Sequence, residues 1–312
     1  MNADRLTALA DRARIVDSCH AFFASRGFVH VETPTLVPCP GLDVHLDAFE
    51  TNARSAARYL ITSPEYQMKR LLTEGMTRIY QIGRAYRRGE LGSRHNPEFT
   101  ILEFYRANAG ADDVMRDTEQ LVARVTSGRV TLAANDGTRT IDTRPPFARM
   151  TVREAYECYA GTGEDEMLRL AESDEDTFYR LLVDKVEPAL AALPHAVFLC
   201  DYPVTQASLA RKKPGDPRYA ERFELYVAGV ELCNGFGELT DPDEQHARFV
   251  KDQEARRTRG LPVYPIDERF ILALRESMPP SGGNAIGLDR LIALSCGTTE
   301  IARVMSFTDE TV

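Results

Sequence analysis

The sequence lacks an apolar run long enough to cross a bilayer, and its N-terminus lacks the apolar core of a signal peptide. The first residues, MNADRLTALADRARIV, instead carry charges at helical intervals. Low-complexity segments are also absent from the 312 residues, of which 43% are hydrophobic and 27% charged. These absences exclude a membrane span and a long disordered region, and they predict a globular protein of the cytoplasm.

Positive charge is scarce as well. The chain has 38 Lys and Arg residues against 47 Asp and Glu residues, a formal net charge of -9. Proteins that hold nucleic acid by general electrostatic attraction need a basic face that displaces counterions. The charge balance therefore disfavours that class of function, although a local basic groove stays open.

The cysteines show no C-x-x-C pair and no regular grouping with histidine, so neither a zinc site nor a disulfide framework is predicted. They are expected to be reduced and mostly packed thiols, at positions 19, 39, 158, 200, 233 and 296. Cys233 lies inside a polar motif, but a small buried side chain is the simpler interpretation of it.

Two nucleotide-binding fingerprints are missing, G-x-G-x-x-G and G-x-x-x-x-G-K-[ST]. A nucleotide, if one binds, must therefore be held in another way. Alternating segments cluster in groups with helical segments around them, which favours an α+β fold with an antiparallel sheet over a parallel nucleotide-binding fold. We treat residues 1–312 as a single domain.

The first half of the chain contains clear helix and strand signals. Apolar spacing predicts a helix over residues 4–26, and Ser63 is a predicted N-cap with Pro64 at the first helical position. The segments RIYQIGRAYR and EFTILEFYR alternate in polarity and predict an antiparallel pair joined by a long polar loop. This pairing places Arg87 and Glu98 near the same end.

The second half is less regular. Residues 111–200 are predicted to form a helical and turn-rich insertion that begins with a helix near 112–126. Three later elements are predicted: a hairpin that turns at Ala228 and Gly229, a helix over 241–259, and a helix from about Leu288 to Gly297.

The stretch RHNPEFTILEFYR carries more polar groups than an ordinary strand needs. His95, Asn96, Glu98 and Glu103 lie close together on it. A partly buried polar group must find a partner or lower the stability of the fold. The stretch therefore predicts that something charged binds along this strand.

Four segments, taken together in chain order, resemble a known family. GRAYRRGELGSRHNPEFTILEFYR, ELCNGFGEL and GNAIGLDRL resemble motifs 2 and 3 of the class II aminoacyl-tRNA synthetases, and GFVHVETPTL resembles motif 1. TSPEYQMKRLL and NGFGEL are similar to the lysyl-tRNA synthetase branch. Motif 1 begins almost at the start of the chain and leaves no room for the anticodon-binding barrel of that branch. This combination resembles the elongation factor P (R)-β-lysine ligases.

The resemblance implies a class II synthetase-like antiparallel sheet flanked by helices, with no anticodon-binding barrel. It implies an ATP-dependent, AMP-forming ligase that activates (R)-β-lysine or lysine and transfers it to a lysine ε-amine of elongation factor P. A homodimer, no tRNA acceptor and no membrane partner are expected. Three alternatives are a lysyl-tRNA synthetase-like enzyme with another acceptor, a free-standing asparagine synthetase, and a non-catalytic regulatory paralogue.

Activation of a carboxylate by ATP requires positive charge around the phosphates, and the planar guanidinium group of arginine suits that task. By resemblance Arg87 contacts the α-phosphate, while Phe99 stacks on adenine and Arg290 closes the other side. Arg87, Arg290 and Glu231 are the expected catalytic residues. The implied ATP-binding set is Arg87, Arg88, Gly89, Asn96, Phe99, Glu231, Leu232, Gly287 and Arg290.

The amino-acid substrate is expected to meet a second set, in which Glu65 holds an ammonium group and Tyr105 supplies a hydroxyl. That set is Ser63, Pro64, Glu65, Tyr105, Glu238 and Ala285. Glu231 and Glu238 bracket LCNGFG, which is interpreted as a turn that offers both carboxylates to Mg²⁺.

Two positions depart from the family pattern. Gly89 stands where motif 2 usually has Glu, with Glu90 next to it, so either Glu90 replaces that residue or the backbone recognises the base. Ala285 stands where the lysyl branch has Gly, and one methyl group at a pocket wall can change binding by about 1–3 kcal/mol. His95 is expected to make a structural hydrogen bond rather than to act as a base.

Overall fold

The computed structural model describes residues 3–51, 57–134 and 137–312. Within these residues the strands are β1 (Val29–His30), β2 (Leu36–Val37), β3 (Glu50–Thr51), β4 (Arg58–Leu60), β5 (Arg78–Tyr86), β6 (Glu98–Ala107), β7 (Arg129–Ala134), β8 (Gly137–Asp142), β9 (Ala148–Thr151), β10 (Val197–Pro203), β11 (Tyr219–Val227), β12 (Val230–Gly237) and β13 (Ser281–Gly287). The helices are α1 (Ala3–Ser25), α2 (Glu65–Thr73), α3 (Ala111–Thr126), α4 (Val152–Ala155), α5 (Glu164–Ser173), α6 (Glu175–Leu181), α7 (Glu187–Ala192), α8 (Pro242–Thr258), α9 (Glu268–Ser277) and α10 (Leu288–Ser295).

An eight-stranded sheet, in the order β1-β5-β6-β13-β12-β11-β10-β9, forms the centre of the fold. Its six inner strands pair antiparallel, which confirms the predicted α+β class. The two outer pairs, β1 with β5 and β10 with β9, are parallel and were not expected. None of the three sheets formed by the described residues closes into a barrel.

The pairing of β5 with β6 agrees with the sequence prediction. Tyr86 lies opposite Glu98, and the backbone N–H of Arg87 donates to the carbonyl of Pro97 at 2.8 Å. β6 is an inner strand between β5 and β13 rather than an edge strand. Its charge at Glu103 is therefore fully buried instead of solvated.

Four predicted helices agree with the structure to within about two residues, namely α1, α3, α8 and α10. α2 begins at Glu65, one residue later than expected, so Pro64 occupies the N-cap position and makes no side-chain cap. Ser63 still serves this helix end, because its Oγ accepts the backbone N–H of Glu65 at 3.1 Å.

The prediction for residues 111–200 is only partly correct. Helices α4–α7 pack into a core of their own around Tyr156 and Phe178, as a helical segment should. However, α3 lies against β11, β12 and β13, and β9 and β10 extend the central sheet, so this region is not simply an insertion. The β7–β8 hairpin was also missed, and residues 135–136 of its turn lie outside the described residues.

Two glycine-rich segments are strands: β12, which is the second strand of the predicted hairpin although LCNGFG within it was interpreted as a turn, and β13, for which no strand was predicted. Their glycines are required by close packing rather than by a turn. A Cβ atom at Gly283 would lie 2.3 Å from the Tyr105 ring and 2.4 Å from Oε1 of Glu238. A Cβ atom at Gly235 would lie 2.3 Å from the Phe223 ring. The true turn is at Ala228 and Gly229, where both residues have positive φ, as predicted.

The six cysteines are free thiols: Cys19, Cys39 and Cys233 are buried, and Cys158 is exposed. Burial raises the pKa of Cys233 to about 12, so this thiol is a packed side chain and not a nucleophile. Among the described residues, none of the helices has the length and apolarity needed to span a membrane. The placement in the cytoplasm stays a prediction.

Candidate active site

A cavity of about 560 Å³ opens on the central sheet beside β6, β12 and β13 and the start of α2. Ten of the fifteen predicted site residues line it: Ser63, Glu65, Arg87, Asn96, Phe99, Glu231, Leu232, Ala285, Gly287 and Arg290. The other five lie outside its lining: Pro64, Arg88, Gly89, Tyr105 and Glu238. Segments that are distant in sequence therefore form one site.

Arg87 directly follows β5, next to the start of β6 that carries Phe99. Its guanidinium lies over the Phe99 ring, 5.0 Å from the centroid. Nε donates to the carbonyl of Thr62 at 3.4 Å, and Nη1 lies 3.6 Å from Glu90. Arg87 reaches this ring because β5 and β6 are paired neighbours. The expected stacking of adenine on Phe99, with Arg290 on the other side of the base, stays a prediction.

Arg290 is held in place by three acceptors. In the first turn of α10, its Nη1 donates to the carbonyl of Glu231 at 2.9 Å and its Nε to the carbonyl of Arg94 at 3.2 Å. Nη2 lies 2.7 Å from Nε2 of His95. Burial and the nearby Arg290 lower the pKa of His95, so its ring accepts this hydrogen bond in the neutral form. His95 thus has the structural role expected of it.

Two carboxylates lie near Arg290 at this end of the cavity. Glu231 keeps 41% of its side chain exposed, and its Oε2 lies 3.8 Å from Arg290. Glu224 on the adjacent β11 is buried and accepts hydrogen bonds from Arg222 at 2.6 Å and Tyr226 at 2.8 Å. Desolvation and then Glu224 raise the pKa of Glu231, against the opposing effect of Arg290.

The predicted metal pair Glu231 and Glu238 is wrong. LCNGFG is part of strand β12, and seven residues of extended chain span roughly 20 Å. The two carboxylates therefore cannot hold one ion, whereas Glu224 and Glu231 lie on neighbouring strands and both line the cavity. No group of three or more His, Cys, Asp and Glu side chains in the described ranges is arranged to hold a metal. A cation here would need further oxygens from a ligand.

A second charged cluster is buried behind the other end of the cavity. Lys69 on α2 is fully buried, with Nζ 2.5 Å from Oε1 of Glu65 and 2.5 Å from Oε2 of Glu238. Glu103 accepts hydrogen bonds from Ser63 and, at 3.1 Å, from Tyr105. Three carboxylates and one ammonium group thus share this wall.

The charges of this cluster are not balanced within it. Burial and then Glu65 raise the pKa of Glu103 to about 8. Burial also raises the pKa of Glu238, against the opposing effect of Lys69. Burial disfavours the charged form of Lys69, but Glu238 and Glu65 outweigh it and hold its pKa above the usual value. The cluster would accept additional positive charge.

Sequence analysis assigned no role to Lys69 or Glu224, and it singled out Glu103 only as one of the polar groups of RHNPEFTILEFYR. Glu103 and Glu224 are the single charged residues of the apolar segments ILEFY and FELYV, and Lys69 stands beside Arg70 in YQMKRLL. In a buried strand or helix face such a residue needs a partner, and that was the available signal. Glu238 and Tyr105 are buried and belong to this cluster without reaching the cavity surface.

The remaining predicted ATP contacts differ in their surroundings. The Asn96 amide is engaged by the main chain: Nδ2 donates to Glu98 at 2.6 Å, and Oδ1 accepts from Asp309 at 2.9 Å. Arg88 is exposed, 3.6 Å from Asp47. Gly89 has φ of 86° and no side chain to offer, whereas Glu90 lines the cavity. The structure therefore favours Glu90 over Gly89 as the motif 2 carboxylate.

Gly287 and Ala285 lie at the end of β13. A Cβ atom at Gly287 would approach Cδ of Arg290 to 3.3 Å, so glycine leaves room for the arginine. Ala285 pairs with Glu103 on one side and Asn234 on the other, and it lines the cavity. Its methyl group therefore belongs to the wall nearest the carboxylate cluster.

The loop at the cavity mouth is pinned by buried Arg256 of α8. This side chain donates to the carbonyls of Asp43 at 2.7 Å, Leu46 at 3.0 Å and Pro262 at 2.6 Å, and it pairs with Asp47 at 2.5 Å. These bonds fix the backbone of residues 43–47 beside the opening.

Comparisons with known proteins agree with this geometry. The family model of tRNA synthetases class II (D, K and N) matches residues 1–311. An elongation factor P–(R)-β-lysine ligase from Yersinia enterocolitica is 40% identical over 311 residues, covering 96% of this chain and 94% of that protein. Proteins of the same name from Vibrio cholerae and Hamiltonella defensa are 39% and 38% identical and cover 97% of this chain and 95% of their own length.

The matches extend over nearly the whole of each chain, so the similarity to these proteins covers all the motifs and the complete fold. The chain therefore belongs to the class II tRNA synthetases (D, K and N) and, within them, to the family of the elongation factor P–(R)-β-lysine ligases.

Proposed function

We propose that this protein is an ATP-dependent ligase that activates (R)-β-lysine as an acyl-adenylate and transfers it to a lysine ε-amine of elongation factor P. One observation carries the proposal. A single cavity has arginines, an aromatic ring and two carboxylates at one end. Behind its other end lies a cluster of three carboxylates and one ammonium group, which favours a positively charged ligand. A nucleoside triphosphate is complementary to the first end, and a diamino acid is complementary to the second.

ATP is the co-substrate of this family, and the arginine end is where it would bind. Phe99 offers a flat ring for adenine, and Arg87 beside it offers a guanidinium for the α-phosphate. Arg290 donates its hydrogen bonds to backbone carbonyls and to neutral His95, and the Glu231 carboxylate lies 3.8 Å away, so the guanidinium can still meet the triphosphate. Both arginines are already positioned, which avoids reorganisation during the reaction.

The residues present fit Mg²⁺. Glu224 and Glu231 supply two carboxylates from neighbouring strands, both line the cavity, and burial and Glu224 raise the pKa of Glu231. Mg²⁺ in such sites uses one or two carboxylates together with phosphate oxygens, in agreement with the absence of a larger ligand group among the described residues. When bound, the ion would neutralise charge on the phosphates. We assign this role to Glu224 and Glu231 and not to Glu238.

Activation joins the two ends of the cavity. The carboxylate oxygen of β-lysine attacks the α-phosphorus of ATP, the bond to the β-phosphate oxygen breaks, and pyrophosphate leaves. Arg87 stabilises the extra negative charge at the α-phosphate in the transition state. Glu65, which lines the cavity, receives a substrate ammonium group, and Ser63 and Tyr105 hold Glu103 behind it.

Transfer then needs only an unprotonated amine. The acceptor nitrogen attacks the carbonyl carbon of the adenylate, the bond to the phosphate oxygen breaks, AMP leaves, and the amine loses a proton to solvent. A mixed anhydride is reactive enough that a dedicated base is unnecessary, which accords with the hydrogen bond that occupies His95.

The partners of the reaction are part of the proposal. The acceptor is taken from the names of the relatives, with a protein lysine instead of tRNA. A homodimer is proposed as well. Exposed apolar side chains support it: Val29 and Leu36 of the motif 1 segment are 52% and 42% exposed, and Leu6 of α1 is 49% exposed.

Amino-acid-dependent exchange of labelled pyrophosphate into ATP tests the activation step. Exchange with (R)-β-lysine above that with either α-lysine isomer is expected, and no exchange with any isomer would contradict a ligase. Labelled substrate, ATP and either elongation factor P or tRNA then test the acceptor. Transfer to tRNA alone would contradict the proposed acceptor while leaving activation intact.

A further inference from the structure

The buried cluster behind the amino-acid end contains its own ammonium group. Lys69 and Glu238 are both fully buried, and their charged atoms are 2.5 Å apart. Lys69 contacts Glu65 at the same distance, and the rings of Tyr105 and Phe236 lie 6.0 Å from its Nζ. It therefore touches the predicted ammonium-binding carboxylate on one side and the carboxylate behind it on the other.

The formal charges of the cluster show how many positive charges it lacks. Glu65, Glu103 and Glu238 contribute three negative charges and Lys69 one positive charge, so the deficit is two. Arg211, whose charge also acts on Glu238, is already paired with Glu221 at 2.6 Å, and Tyr105 donates only a hydrogen bond to Glu103. Buried charges that lack partners are costly, so a deficit of this size favours a ligand that can fill it.

We propose that Lys69 is a specificity-determining residue: it neutralises one of the three carboxylates of the cluster and so sets the charge capacity of the pocket at two, the number of ammonium groups on a diamino acid. The inference rests on the proposed function. Lys69 acts through Glu65 and Glu238 rather than by touching the substrate, which makes it a positioning residue as well.

Proton release in the unaltered protein gives the first test. In the empty pocket, burial keeps protons on Glu103 and Glu238 near neutral pH. A ligand with two ammonium groups displaces them, whereas 6-aminohexanoate, with one, displaces fewer. Titration calorimetry at pH 6.5, where both carboxyl groups are mostly protonated, counts these protons in buffers of different ionisation enthalpy. We expect about one more proton released by lysine isomers, and equal counts for both ligands would overturn the proposal.

Charge-altering variants give the second test. Lys69→Met enlarges the deficit to three, so the KM for the amino acid in pyrophosphate exchange should rise at least tenfold at pH 8, and activity should shift to lower pH. The KM for ATP should stay within twofold. The double variant Lys69→Met with Glu238→Gln returns the deficit to two and should recover most of the loss. Lys185→Met, at an exposed lysine, is the matched control.

A purely structural Lys69 gives a different result. Lys69→Met would then lower the melting temperature and leave the amino-acid KM and the pH profile of the folded protein unchanged, and the double variant would recover nothing. Either outcome overturns the proposal. If Lys69→Met does not fold, the proton count in the unaltered protein decides. Absence of exchange by the unaltered protein would instead contradict the proposed function itself.

Discussion

Nη1 of Arg290 donates to the carbonyl oxygen of Glu231 at 2.9 Å across 59 residues of sequence. This bond joins the start of α10 to the start of β12, and Oε2 of Glu231 lies 3.8 Å from the same guanidinium. The Arg290 side chain therefore binds the backbone of Glu231, lies near its carboxylate and also lines the cavity. Motifs that are separate in sequence act here as one structural unit.

Replacing Arg290 should impair activation more than binding of the amino acid. In Arg290→Lys the charge remains, but the planar fork that spans Glu231 and His95 is lost. We expect kcat/KM for ATP in pyrophosphate exchange to fall by about 10²–10³, with the amino-acid KM changed less than threefold. Arg303→Lys, at an exposed arginine paired with Glu300, should behave like the parent.

Glu224 and Glu238 should differ in what their loss changes. Glu224→Gln removes half of the proposed Mg²⁺ pair, so the Mg²⁺ concentration needed for half-maximal exchange should rise about tenfold or more. Glu238→Gln lies roughly 20 Å along the strand from Glu231 and should alter the amino-acid KM instead. If the Mg²⁺ concentration needed for half-maximal exchange rises equally in both variants, Glu238 also contributes to the Mg²⁺ site and the assignment to Glu224 and Glu231 is wrong.

Glu103 should make stability depend on pH. Its pKa is raised by burial to about 8 from 4.5, so the folded state binds the proton more tightly than the unfolded state. Stability from this group is therefore fully present below about pH 4.5 and is lost as the pH rises towards 8. Relative to the parent, Glu103→Gln should gain on the order of 3 kcal/mol of unfolding free energy between pH 5 and 8.

Urea unfolding at several pH values measures that difference. Glu98→Gln, on the same strand but about half exposed, is the control and should leave the pH dependence unchanged. A parallel pH dependence for the parent and Glu103→Gln would show that Glu103 is ionised at low cost in the folded protein.

Arg256 should contribute more to the free energy of unfolding than its neighbour Arg257. Arg256→Met leaves several carbonyls and Asp47 without their buried donor, so we expect a loss of about 2–4 kcal/mol in unfolding free energy. Residues 43–47 should then become accessible to proteases. Arg257→Met, at an exposed arginine on the same helix, should cost less than about 0.5 kcal/mol.

Gly283 tests the close packing behind the amino-acid end. In Gly283→Ala the methyl group would overlap the Tyr105 ring and Oε1 of Glu238, and both belong to the carboxylate cluster. The amino-acid KM should rise at least tenfold, while the KM for ATP stays nearly unchanged. Gly163→Ala, at a helix N-cap with open space around the added atom, is the control. Equal effects on both substrates would point to general unfolding.

The sequence predicted those parts of the site that depend on local pattern and motif. Arg87 and Phe99 meet because alternating segments predicted the β5–β6 pair, and α10 begins where the glycines before Arg290 suggested. β13 and the LCNGFG part of β12 were not recognised as strand because their glycines are typical of turns, and only the approach of Tyr105 and Phe223 explains those glycines. That approach is a tertiary contact.

The prediction that Glu231 and Glu238 share a metal ion also depended on tertiary structure that the sequence does not show. A turn over LCNGFG would have brought Glu231 and Glu238 together, whereas a strand separates them and brings Glu224 close instead. Strand register across a sheet cannot be read from one segment alone. The same applies to Lys69, whose two carboxylate partners come from α2 itself and from the end of β12.

The buried position of Lys69 has a consequence for an enzyme that makes a reactive acyl group. A lysine amine near such a group would be acylated if it were free, and the chain has only five lysines in all. Lys69 is clamped between two carboxylates that keep it protonated, and a protonated amine has no lone pair with which to attack. On the proposed function, the ligase thereby protects itself from self-modification at its innermost amine.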